Sequence, residues 1–182
     1  MTGDATEVNR VIGGGEHDPP ADLDWGEWLG RYGPRLLLFA RQQARSEADA
    51  QDLVQEAIVE SWRLRSDEMP PPIALVFATI RRRAVDKARR EDRRAQRETA
   101  ATREAPQEWF DCDVEERERG RLVQDAMGRL PEIYRNVVML KVWGCLTFAE
   151  IAVALEIPAN TAASRYRYGL IELRKLTKEI FP

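Results

Sequence analysis

Six residues near the end of the chain, Asn160, Thr161, Ser164, Arg165, Arg167 and Tyr168, are of types that hydrogen-bond nucleic acid. Arginine forks onto guanine edges or phosphate, and Asn, Thr and Ser near a helix start can meet phosphate beside free backbone amides. A second set lies earlier. Arg81, Arg82, Arg83, Lys87, Arg89, Arg90, Arg93 and Arg94 form a cationic rod, and residues 81–97 carry nine basic against three acidic side chains. Phosphate binding is the natural use of such a rod, and it should be strongly salt-dependent. The simpler alternative for both sets is a solvated, salt-bridged helix surface. Just before the rod, Ser66, Asp67, Glu68 and Met69 form a loop that could hold an unstacked base.

These side chains need elements to position them, and every recognisable element is a helix. Thr147, with Glu150 three residues on, is a capping box that opens a short helix, Phe148 to Leu155. Pro158 breaks it. Asn160 or Thr161 is then the expected cap of a final helix running to about Lys178, with Ala162, Tyr166, Leu170, Leu173 and Leu176 inside. Two short helices around a tight break, the second polar at its start, are a helix-turn-helix pattern. The preceding helices run over about 119–130 and from Pro131 to Trp143, where Gly144 ends the stripe.

Upstream, Asp22 or Asp24 can cap a first helix, which Gly33-Pro34 should bend. Ser46 starts a second helix to about Arg65, with Leu53, Val54, Ala57, Ile58 and Trp62 as its apolar stripe. The opposite face carries Asp52, Gln55 and Glu56. After Pro70-Pro71-Pro72, a third helix begins with IALVFATI, apolar nearly all round, and continues as the rod. The expected fold is all-α, with two small helical domains joined by an acidic linker. Residues 1–21 are a disordered tail, 22–95 the first domain, 96–118 the linker and 119–182 the helix-turn-helix domain.

Composition narrows the function. Of 182 residues 43% are apolar and 32% charged, which suits two small cores better than one large one. The net charge of −3 conceals alternating acidic and basic blocks, the signature of two anion-binding surfaces with acid between them. Cys112 and Cys145 lack metal-ligand spacing and His17 stands alone, so no metal, no cofactor and free thiols are expected. No nucleophile–base pair or phosphate loop suggests an enzyme. No apolar run of about 18 residues or signal core appears, which points to a cytoplasmic protein without membrane insertion.

Three stretches in order, DLVQEAIVESWR (52–63), VFATIRRRAVDKARR (76–90) and LPEIYRNVVMLKVWGCLTFAEIAVALEIPANTAASRYRYGLIELRKL (130–176), resemble the extracytoplasmic-function sigma factors of bacterial RNA polymerase, a branch of the sigma-70 superfamily. The resemblance covers about residues 22–178. It implies a promoter-specificity subunit without catalysis, whose partners are core RNA polymerase (the β′ clamp helices and the β flap), promoter DNA and, in many such factors, an anti-sigma factor. Asp52, Gln55 and Glu56 would meet the β′ clamp helices. Arg81, Arg82, Arg83, Lys87 and Arg90 would bind at the minus-ten element, with Ser66 to Met69 as the base-capturing loop. Asn160, Thr161, Ser164, Arg165, Arg167 and Tyr168 would read the minus-thirty-five element.

The chain departs from the family pattern at several points. Leu75, Ala78 and Arg82 stand where Trp, Arg and Asn are usual, Glu156 stands for the turn glycine, and Ala162-Ala163 replaces Val-Lys. An altered promoter preference follows. The competing reading is a stand-alone helix-turn-helix regulator, which has no need of DLVQE or the rod.

Overall fold

The computed structural model describes residues 24–64, 70–95 and 114–180. Their regular structure is entirely helical: α1 (Trp25–Gln43), α2 (Glu47–Leu64), α3 (Ile73–Ala95), α4 (Val114–Arg129), α5 (Glu132–Val142), α6 (Phe148–Leu155) and α7 (Ala159–Ile180). The expected tail and base-capturing loop, Ser66, Asp67, Glu68 and Met69, lie outside the described residues.

Local chemistry sets the helix starts. The Asp24 carboxylate accepts from the Glu27 amide at 2.8 Å and caps α1. The Ser46 hydroxyl accepts from the Asp49 amide at 3.2 Å and opens α2. Thr147 and Glu150 form the complete capping box of α6. Each such cap contributes about 1 kcal/mol by satisfying an amide that would otherwise lack a helix partner. At Gly33-Pro34, where a bend was expected, α1 continues as one helix through Pro34. An interior proline forfeits one backbone hydrogen bond and costs about 3 kcal/mol. Burial of Trp28, Tyr32, Leu36 and Phe39 along one face offsets that cost.

α1, α2 and α3 pack mutually, and their buried side chains belong to one apolar cluster with those of the later helices. Phe39 meets Phe77 edge-on, with ring centroids 5.3 Å apart. Leu53 and Ala57 of α2 join Val76, Phe77 and Ile80 of α3. A buried polar pair lies inside: the Ser61 hydroxyl donates to Thr79 at 3.2 Å, and Thr79 donates to the Leu75 carbonyl at 2.9 Å. Trp62, expected in the apolar stripe, is 41% exposed and faces outward.

In the second half α7 packs against α4, α5 and α6. Gly169 lets α7 approach α5 closely, since a Cβ there would lie 2.8 Å from Val138 Cγ2. The break between α6 and α7 uses Glu156 in the left-handed conformation (φ 55°, ψ 46°), so a carboxylate residue occupies a glycine-type position. α5 ends similarly. Cys145, not Gly144, takes the positive φ of 55°, and the Leu146 amide returns to the Leu140 carbonyl at 3.0 Å. α7 begins at Ala159, directly after Pro158, so Asn160 and Thr161 sit in its first turn and not at its cap. α4 begins at Val114, within the segment expected as linker. The two halves also touch, because α6 lies against α3.

Candidate nucleic-acid and protein interface

The rod of α3 is two surfaces, not one. Its inner cations pair with α2. Arg83 donates to Glu60 Oε2 through Nε and Nη2 at 2.6 Å each and lies 4.0 Å from Glu56. This pairing, mainly the Glu60 hydrogen bond, holds the Arg83 guanidinium more firmly protonated than usual. Lys87 is bonded to Asp49. That bond pulls the Asp49 carboxyl below its ordinary range, against the opposing effect of burial. Arg82 approaches Glu60 at 3.7 Å, and its Nη2 also donates to Thr79 at 3.2 Å. Arg45, at the start of the loop before α2, reaches Glu91 at 3.0 Å and Asp92 at 3.6 Å.

The structure therefore separates the predicted DNA-binding cations. Arg83 and Lys87 are clamps between helices. Arg81 is half-buried. Arg82 and Arg90 are exposed, as are Arg89 and Arg93 of the same cationic rod. At 100° per residue, Arg82, Arg89 and Arg93 share one outward face of α3. Their spacing of seven and four residues was the signal for them.

Outside the clamps, α2 presents Asp52, Gln55, Glu56 and Val59 together on its solvent face, continued by Trp62 and Arg63. Val59 is 43% exposed, so the stripe is apolar as well as acidic. A groove of about 330 Å³ runs between Gln55, Glu56, Val59, Glu60, Arg63 and Arg83. A second cleft of about 220 Å³ is bordered by Asp52, Glu56, Asp86, Lys87 and Arg90.

On α7, Asn160, Arg167 and Tyr168 are exposed, while Thr161, Ser164 and Arg165 are half-buried. The six lie within an arc of ~160° at 100° per residue. Ser164 donates to the Thr161 carbonyl at 3.0 Å, and the Arg167 guanidinium lies 5.3 Å over the Tyr168 ring. Behind them Ala162 is fully buried. Tyr166 packs on Phe148, with centroids 5.8 Å apart, and burial pushes its phenol pKa up. Lys141 lies 5.1 Å over the other side of this cluster, at the Phe148 ring, and donates to the Leu146 carbonyl at 2.9 Å. Ile171, Arg174 and Lys175 continue the exposed face toward the helix end. Among the described residues no group of His, Cys, Asp and Glu could hold a metal ion, and no helix is long and apolar enough to cross a membrane.

This is an all-α helix-turn-helix protein with a second, basic helical half. The sigma-70 region 2 model matches residues 28–94, and the sigma-70 region 4 model matches residues 120–173. The ECF RNA polymerase sigma factor SigK of Mycobacterium ulcerans is 32% identical over 147 residues, which cover 77% of this chain and 78% of that protein. The RNA polymerase sigma-E factor of Streptomyces coelicolor is 28% identical over 156 residues, covering 84% of this chain and 85% of that one. The chain belongs to the ECF sigma factors of the sigma-70 family.

The fold agrees with solved structures. The sigma factor RpoE, co-crystallised with the anti-sigma factor NepR from Bartonella quintana, matches with a TM-score of 0.62 at 20% identity, over 85% of this chain and 96% of that one. CnrH, in complex with the cytosolic domain of CnrY, matches with a TM-score of 0.57 at 22% identity, over 85% of this chain and 87% of that one.

Proposed function

We propose that this chain is a promoter-specificity subunit that carries core RNA polymerase to a set of promoters and helps open them, without catalysis of its own. The observation that carries this reading is the coexistence in one chain of three separate surfaces. One is the acidic-apolar stripe of α2, one the outward cations of α3, and one the polar start of α7. A stand-alone regulator needs only the last.

Asp52, Gln55 and Glu56 are the polymerase contacts, suited to the basic face of the β′ clamp helices, and Val59 supplies apolar area beside them. Arg82, Arg89, Arg90 and Arg93 bind phosphates at the minus-ten element, and Ser66 to Met69 form its base-capturing loop. Arg83 and Lys87 hold α2 and α3 together beneath that surface. Asn160, Thr161, Ser164, Arg165, Arg167 and Tyr168 read the minus-thirty-five element, and the α4–α7 half meets the β flap. Such a subunit works in the cytoplasm, and an anti-sigma factor is the natural further partner.

Copurification tests the reading. The wild-type chain should bring down core polymerase, and the Asp52→Arg/Glu56→Arg double variant should bind at least about tenfold more weakly while keeping its helix content. A wild-type chain with no affinity for core polymerase would favour the stand-alone regulator.

A further inference from the structure

The polar arc at the start of α7 holds two arginines that the geometry distinguishes. With Asn160 at zero and 100° per residue, Ser164 lies at ~40° and Arg167 at ~−20°, so the three share one strip. Arg165 lies at ~140°, on the flank, and is half-buried, whereas Arg167 is exposed. A helix in the major groove turns its central strip to the base edges and its flanks to the phosphate walls. At ~1.5 Å per residue Arg167 lies ~12 Å along α7 from Ala159, which fits a groove ~12 Å wide. Arg174 and Lys175 share the outward side but lie ~22–24 Å along, past the groove. Lys175 is also tied to Glu172 at 2.6 Å.

The surroundings of Arg167 differ from those of the clamping cations. Its guanidinium lies 5.3 Å over the Tyr168 ring, which is 50% exposed, and no acid among the described residues pairs with it. Arg83, by contrast, commits its donors to Glu60. An aromatic ring attracts a guanidinium through its quadrupole, so the group is oriented while its N–H fork stays available. The other residues of the strip are short. Ser164 turns its hydroxyl to the Thr161 carbonyl at 3.0 Å, and Ala163, one turn before Arg167, carries only a methyl group. Over residues 159–168 Arg167 is thus the only long side chain on the strip. A planar fork matches O6 and N7 of guanine, and a fork already held loses less freedom on binding.

We infer that Arg167 is the guanine-reading residue of this recognition helix and that Tyr168 is its positioning residue, acting through the ring and not through the hydroxyl. This rests on the proposed reading of α7 as a promoter contact and narrows that reading to one base. Arg165, on the flank, meets phosphate.

The test uses the full-length chain, alone and with core polymerase. The probe is a pool of duplexes randomised over about ten base pairs, from which bound DNA is recovered and sequenced. The wild type should favour guanine at one position of the recovered motif by at least about fivefold. Arg167→Gln should replace that guanine by adenine, the base whose edge an amide matches, and leave the other positions unchanged. Tyr168→Phe should keep the wild-type preference, and Tyr168→Leu should weaken it by about two- to fivefold. Both positions are exposed, so every variant should retain the helix content of the wild type. A uniform loss of affinity across all sequences in Arg167→Gln, the mark of a phosphate contact, would overturn the guanine assignment. So would a wild-type pool without a preferred guanine. A loss in Tyr168→Phe as large as that in Tyr168→Leu would overturn the positioning role and assign the phenol a hydrogen bond. Core-polymerase binding is measured on the same samples. Its absence would sink the sigma-factor reading, while the change from guanine to adenine would still be read from the chain alone.

Discussion

Replacing Arg83 by alanine should weaken the fold and leave DNA binding alone, whereas replacing Arg89 and Arg93 should do the reverse. Arg83 makes two 2.6 Å hydrogen bonds to Glu60, whose side chain is 28% exposed, while that of Arg83 is 39% exposed. A fully buried charge-assisted bond contributes about 1.5–3 kcal/mol. Solvent screening of this partly exposed pair, and the neighbouring Arg82 at 3.7 Å, reduce the expected loss to about 1 kcal/mol. For a chain of this size that lowers Tm by about 2–4 °C. Arg89 and Arg93 are exposed, and their removal should change stability by less than about 0.5 kcal/mol. Each phosphate contact contributes a slope of about −0.7 to log K against log salt on single-stranded DNA. The Arg89→Ala/Arg93→Ala variant should therefore reduce the slope by about 1.4. The assay is fluorescence anisotropy with a labelled single-stranded oligonucleotide at 50–200 mM KCl, paired with thermal melting of each variant. A slope change of a full unit in Arg83→Ala at unaltered Tm would refute the division of the rod into clamps and phosphate contacts.

Three other perturbations test the scaffold. Glu156→Gly should stabilise by about 1 kcal/mol, read by urea unfolding, because a left-handed residue with a Cβ costs about 1–2 kcal/mol and glycine's greater unfolded-state entropy returns part of the gain; a loss of stability would contradict the turn geometry. Gly169→Val should destabilise by at least about 1–3 kcal/mol through overpacking against Val138 and Tyr134, and lose minus-thirty-five binding at the growth temperature. Asp49 has a folded pKa below its unfolded value, so its pairing with Lys87 stabilises above about pH 4 and the contribution is lost as pH falls through the folded pKa. Asp49→Asn should therefore flatten the acid limb of stability against pH, and an unchanged limb would show that the pair contributes nothing.

Much of this molecule could be read in advance because its signals are local. Asp24, Ser46 and the Thr147–Glu150 box announce helix starts through chemistry spanning three residues. The helix-turn-helix follows from Thr147, Pro158 and the polar run after it. What escaped was set by contacts distant in sequence. α1 passes through Pro34 because aromatic packing on both sides of it outweighs one lost hydrogen bond. Trp62 faces outward because Ser61 takes the buried position beside Thr79, 18 residues away. Arg83 and Lys87 look like their exposed neighbours in sequence, and only the approach of α2 distinguishes them. Glu156 carries the turn as well as Pro158, a conformation its side chain does not advertise. The packing of α6 on α3 left no local signal in the sequence.

The central claim is that this chain gives core RNA polymerase its choice of promoter. Run-off transcription from a fragmented genomic template, with core polymerase plus or minus the chain and with start sites mapped, tests it most directly. The account predicts a discrete set of starts that appears only with the chain, shares sequence near positions −10 and −35, and disappears with the Asp52→Arg/Glu56→Arg variant. Transcripts independent of the chain, or starts unaffected by that variant and lacking a shared minus-ten sequence, would contradict it.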